Sequence, residues 1–202
     1  MSLTIVVISA VVAASAGYLA LRRRRTNDDA KVADTSAKRS GKGAPSPSNA
    51  LEGFGLAIGD VISSGGEERW LSGALLAREQ TVITVLFFAP EGREHWVVAA
   101  FPLPERDIFW LRPVEVVSPA EPPATLEIDG FTMQRKRRLP VRLERMGQGA
   151  PAVDSTGMLA TYTAGARDVA IVLTCGEQCL GWSGRRIESS EYDRMGQSLN
   201  DD

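Results

Sequence analysis

From Leu51 onward the large apolar residues come in short runs split by turn-forming residues, and no window of a dozen residues repeats every 3.6 positions. That pattern restricts the body to strands, because an amphipathic helix returns an apolar residue to one face every three or four positions. Val82–Ala89 (VITVLFFA) and His95–Phe101 (HWVVAAF) are rich in β-branched and aromatic residues. Pro90–Glu94 between them has the composition of a hairpin loop. In Asp107–Val117 (DIFWLRPVEVV), Pro113 has no N–H to give a ladder, which places it at an edge or a strand end. Ser63–Gly66 (SSGG) reads as a hairpin turn, and Asp129-Gly130 between two alternating segments is the strongest short-range hairpin signal in the chain. Leu159–Ala164 and Asp168–Cys175 form another strand pair, turned at Gly165-Ala166-Arg167. Trp182 follows an apolar strand pair that needs a cover, so it is expected to be protected. The segment Ser189–Leu199 is expected to hold one helical turn, capped by Ser189 or Ser190.

Two stretches open alike. Leu56–Leu76 and Leu126–Met146 each start Leu-x-Ile, carry a Gly/Asp pair, and run through charged residues into a strand. The expected fold is all-β: two similar small antiparallel units, residues 56–118 and 124–195, packed into one domain over 51–202. Pro119, Pro122 and Pro123 mark the junction. Packed together, the units bury a core that neither supplies alone.

Ile58-Gly59-Asp60 entering a strand, Trp70-Leu71-Ser72-Gly73, and the strand Val82–Phe88 answered by His95-Trp96 resemble the first half of a bacterial family, domain of unknown function 4178. In the second half, Asp129-Gly130, a strand around Tyr162, Val169–Thr174 and Gly184-Arg185-Arg186-Ile187 are similar too. The resemblance runs from Leu56 to Met195; Thr84-Val85-Leu86-Phe87 departs from the Trp-x-Glu-Tyr-like strand of that family. It implies a β-rich architecture and, since the family has no established activity, no catalytic residue.

Ahead of the body, Leu3–Leu21 contains no charged residue. As a helix this run covers about 28 Å, the thickness of a bilayer's hydrocarbon core. Arg22, Arg23, Arg24 and Arg25 follow it, and basic residues stay on the cytoplasmic side. The reading for residues 1–25 is a single-pass inner-membrane anchor with the N-terminus outside and the body in the cytoplasm. Ala14-Ser15-Ala16 has the small residues of a signal-cleavage site, but no basic residue precedes the run as a secretory signal requires. The alternative is an exported or periplasmic body closed by a Cys175–Cys179 disulfide. Ser9, Ala13 and Gly17 recur at four-residue spacing, which lets two such helices approach closely and makes a homodimer a candidate. Residues 26–50 have no aromatic residue and many Ser, Lys, Asp, Gly and Pro, the composition of a disordered linker. A linker of that kind spans on the order of 25–30 Å, so the body works close to the bilayer.

Charge divides the same way. Residues 1–50 carry eight Lys/Arg and three Asp/Glu, and residues 51–202 carry fifteen and twenty-two, so a basic leader precedes an acidic body. The one histidine, His95, has no second histidine to complete a triad or zinc site and reads as a solvent-facing strand residue. Cys175 and Cys179 are the only cysteines, and a hairpin turn at Gly176-Glu177-Gln178 brings them face to face as a candidate redox pair. Arg135, Lys136, Arg137 and Arg138 form the strongest charge run of the body; alternation puts Arg135 and Arg137 on one face with Met133 and Leu139, a candidate interaction edge. The body is acidic and no aromatic interrupts that run, which argues against nucleic acid. No phosphate loop, paired carboxylates or cofactor motif stands out. The expected function is therefore a non-enzymatic, cofactor-free module that binds a protein or lipid partner. Trp70, Trp96, Trp110 and Trp182 are available for recognition or for the core.

Overall fold

The computed structural model describes residues 51–91 and 93–196. A short 3-10 turn, Glu52–Phe54, precedes twelve strands: β1 (Val61–Ser64), β2 (Glu67–Trp70), β3 (Gly73–Arg78), β4 (Val82–Glu91), β5 (Glu94–Ala100), β6 (Ile108–Val114), β7 (Thr125–Ile128), β8 (Phe131–Gly147), β9 (Thr156–Ala164), β10 (Asp168–Cys175), β11 (Gln178–Ile187) and β12 (Asp193–Met195). The all-β expectation holds.

Eight of these strands close a barrel in the order β3-β4-β5-β6-β11-β10-β9-β8, with β8 returning to β3. Every neighbouring pair is antiparallel. The barrel is made of two four-stranded meanders, β3–β6 and β8–β11, that share one sheet, first strand against first and last against last. A barrel of eight strands is just wide enough for its inward side chains to fill it. Leu75, Leu86, Phe88, Val97, Leu111, Val141, Ile171, Leu173 and Trp182 make up that interior. Trp182 is buried as expected, its ring edge-on to Phe88 at 5.8 Å between centroids.

The outer face of the first meander is also apolar. Leu76, Val85, Phe87, Val98 and Trp110 point outward and are covered by Leu51, Phe54, Leu56, Ile62 and Leu71. Strands buried on both faces have no polar side to show, which is why Val82–Ala89 and Val97–Ala100 read as unbroken apolar runs. On the second meander, Ala160, Tyr162, Ala170 and Val172 are covered by Ile128 and Met133. Each cover includes a hairpin: β1–β2, extended by β12 and flanked by residues 51–56 and Leu71, on the first meander, and β7 with the first residues of β8 on the second.

Glycines make the two closing seams. At the β3–β8 seam Gly73 pairs with Gly147. Gly147 has φ +69°, and a Cβ there would stand 2.7 Å from the Ser72 carbonyl oxygen. At the β6–β11 seam Gly184 pairs with Leu111, and a Cβ on it would meet the Trp110 carbonyl oxygen at 2.0 Å. Pro113 sits past Leu111, where pairing with β5 has ended, in line with its expected place.

Two local expectations are corrected. The segment after Ser189 forms a strand, β12, paired with β1, where a helical turn was expected. Its residues complete a sheet edge supplied by the other end of the body, a long-range contact that outweighs local helix propensity. In β8 a bulge between Arg135 and Arg137 breaks the alternation. Arg135 opposes the outward Tyr162, whereas Arg137 opposes Thr161 and Leu139 opposes the inward Leu159, so the two arginines lie on opposite faces. No helix among the described residues is long and apolar enough to cross a membrane. The expected anchor Leu3–Leu21, Arg22–Arg25, the linker 26–50 and the Ser9, Ala13, Gly17 stripe lie outside the described residues.

Candidate functional site

The two covering hairpins have one register. Val61 pairs with Trp70 and Ser64 with Glu67 around a two-residue Gly65-Gly66 turn. Thr125 pairs with Gln134 and Ile128 with Phe131 around a two-residue Asp129-Gly130 turn. Both turns hold positive φ at both positions, 61° and 84° in the first and 53° and 79° in the second, the tight reversal that suits strand twist. The structural match therefore sets Gly65-Gly66 against Asp129-Gly130, not Gly59-Asp60 against it.

A cavity of about 450 Å³ opens between these turns. Its floor is the outer face of the barrel, with Trp96 on β5, Trp110 and Arg112 on β6, Asp168 on β10, and Ser183 and Arg185 on β11. Glu67 of the first hairpin and Ile128, Asp129, Phe131 and Met133 of the second form the walls. Arg112 donates to Asp129 at 2.7 Å, pinning the second turn to the floor. Phe131 is 60% exposed.

Behind the Glu67 wall lies the most unusual residue of the body. Arg69 is 3% exposed. Its guanidinium sits between two indoles, 3.9 Å from the Trp96 ring centroid and 4.0 Å from that of Trp110. Such stacking attracts a cation through the ring quadrupole. Arg69 Nη1 donates to the Leu111 carbonyl at 3.0 Å. Nη2 has no hydrogen-bond acceptor and lies 3.7 Å from Glu67 Oε2. Burial brings the Arg69 pKa down to about 10, while Glu67 and Glu91 act in the opposite direction. Glu67 Oε2 in turn accepts from Trp110 Nε1 at 3.1 Å, and Trp96 Nε1 donates to Glu94 at 3.1 Å. The cation thus fixes two tryptophans and one carboxylate at the cavity edge.

A second cavity, of about 320 Å³, lies at the barrel end and is lined by Phe88, His95, Pro113, Cys179, Leu180 and Trp182 among others. His95 is exposed there, and its carbonyl accepts from Trp182 Nε1 at 3.2 Å. Cys175 opposes Gln178 and Cys179 opposes Thr174. Being one register step apart, the two cysteines sit on opposite faces of the ladder instead of face to face, and both are free thiols. Cys175 belongs to the barrel interior, where burial pushes its pKa up to about 11; burial raises that of Cys179 as well. Of the basic run, Arg135 donates to the Pro122 carbonyl and Arg138 pairs with Glu121 at 3.3 Å, so both hold the linker between the meanders. Lys136 and Arg137 are exposed.

No motif in the sequence marks Glu67, Arg69, Arg112, Asp129, Phe131, Asp168 or Arg185 as site residues. One signal was present: a two-residue Gly65-Gly66 turn forces Arg69 opposite Ile62, on a buried face. No family model, curated protein or solved structure matches this chain.

Proposed function

We propose that the chain is a membrane-tethered, non-enzymatic interaction module whose barrel body faces the cytoplasm and binds a partner in the groove between its two hairpins. The groove carries this reading: an open cavity whose edge is formed by Trp96, Trp110 and Glu67, held from behind by the buried Arg69, and whose far wall presents the exposed ring of Phe131. The anchor Leu3–Leu21 and the linker 26–50, read from the sequence, keep that groove near the bilayer. A buried, hydrogen-bonded polar cluster of this kind is more than a cover requires, since apolar residues cover the second meander without one.

A photo-reactive amino acid at Phe131, compared with one at Val117, which is 93% exposed and outside the groove, tests this in intact cells. The expected result is a discrete adduct from position 131 alone, recovered in the membrane pellet after alkaline carbonate washing. Equal labelling from both positions, or a full-length chain left in the soluble fraction, overturns the reading.

A further inference from the structure

Arg112 and Asp129 neutralise each other across the groove at 2.7 Å. Removing that pair leaves Arg185 and Asp168 as the charged groups of the lining that no salt bridge engages among the described residues, while Glu67, held by Arg69 and Trp110, adds a carboxylate at the edge. Asp168 and Arg185 are cross-strand partners of β10 and β11, yet among the described residues neither takes part in a salt bridge. The Arg185 guanidinium lies instead beside Gly65 of the first turn. Opposite charges are therefore held apart in one cavity. A simple anion there meets Glu67 and Asp168, and a simple cation meets Arg185. Only a ligand with both signs satisfies both ends at once.

The aromatic groups say which end of such a ligand goes where. Trp96 and Trp110 already hold a guanidinium on their faces. Phe131, on the opposite wall, presents an exposed ring to the same space. Rings and carboxylates together receive an ammonium group, whereas a guanidinium donates to phosphate oxygens. The volume of about 450 Å³ falls within the range of small-ligand sites.

We infer that the groove binds a dipolar phosphodiester, a phosphate ester bearing an ammonium group, with phosphate at Arg185 and ammonium at Glu67, Asp168 and Phe131. The inference rests on the reading of the groove as the binding surface and names its ligand. This chemistry is that of zwitterionic phospholipid headgroups and of their soluble glycerophospho counterparts.

The test uses the full chain in non-ionic detergent, with tryptophan fluorescence as the readout. It is titrated with glycerophosphoethanolamine, with glycerophosphoglycerol and ethanolamine as singly charged probes, and with maltose as an uncharged one. A saturable response is expected only with glycerophosphoethanolamine. Arg185→Gln and Asp168→Asn, both at exposed side chains outside any salt bridge among the described residues, should each weaken it about tenfold or more, the effect of losing one charge-assisted contact, with the urea melt unchanged. Phosphatidylethanolamine in the micelle binding more tightly than the free headgroup supports the inference with the lipid as source; equal affinity supports it with the soluble ester as source. A response to glycerophosphoglycerol or to maltose as strong as that to glycerophosphoethanolamine overturns it, and so does no response at all. Cross-linking at Phe131 that persists without any headgroup response sinks this inference while leaving the interaction module standing.

Discussion

The hairpins Val61–Trp70 and Thr125–Gln134 share a length, a register and a two-residue turn, and each covers one outer face of the barrel. One matched, buried position sets them furthest apart. Arg69 opposite Ile62 is 3% exposed, and Met133 opposite Leu126 is 2% exposed. A thioether there loses nothing on leaving water, whereas a guanidinium loses its hydration and regains it in part through two indoles, one carbonyl and one distant carboxylate. Covering the barrel does not require the cation. The first hairpin keeps it beside the groove, which ties that position to binding and the second to packing.

Four substitutions or conditions put this contrast to the test. The largest effect belongs to the seam that makes the two halves one structure. Gly147→Val places a side chain at positive φ and against the Ser72 carbonyl, and should cost upward of about 4 kcal/mol, at the extreme of single substitutions. Chemical denaturation should then show both halves lost in one transition; survival of one half would separate them. Met133→Arg comes next. It puts the first hairpin's cation in the second without the tryptophans, and an uncompensated buried charge should cost about 3–5 kcal/mol in the same assay.

The third concerns pH and the interior that both halves share. The Cys175 thiol has a pKa of about 11 in the fold, above its ordinary value of 9.0. In the unfolded chain the thiol loses its proton first, so the unfolded state is favoured as pH rises. The thiol's own contribution to stability should be unchanged below pH 9 and fall between 9 and 11, by about 2 kcal/mol at most. Cys175→Ala should remove that fall from a series of urea melts; an unchanged slope would show that the thiol does not face the interior. The smallest effect is the most telling one. Arg69→Met should shift stability by about 1 kcal/mol or less in either direction, since replacing a buried ion by an apolar residue is often neutral. Ligand binding in the groove should fall away as Glu67, Trp96 and Trp110 lose their common anchor. A loss of several kcal/mol in the melts would make the arginine structural and end the contrast.

What was legible beforehand follows from range in sequence. Val82–Ala89, Asp129-Gly130 and the pair Leu159–Ala164 with Asp168–Cys175 announce themselves because hairpin pairing depends on neighbours. Closure does not: nothing in Gly73–Arg78 states that its second partner is Arg142–Gly147. The bulge at Lys136 was equally silent, and one extra residue there sends Arg137 to the other face from Arg135. Arg69 was hidden by its chemistry. In Glu67-Glu68-Arg69-Trp70 it stands among charged neighbours, where an arginine is normally solvated, and only the indoles brought in from β5 and β6 explain its burial.

The pairing of β1 with β12 sets Val61 against Met195. During synthesis the first strand of the body must wait, unpaired on that edge, until Met195 has left the ribosome. The β3–β8 and β6–β11 ladders impose the same delay on the barrel, so the nascent body has no early resting point and closes late, through contacts of high sequence separation. Until then the apolar strands β4 and β5 stand exposed in a half-made chain, and chaperone occupancy during translation is expected to peak as they emerge and to drop once β11 is made.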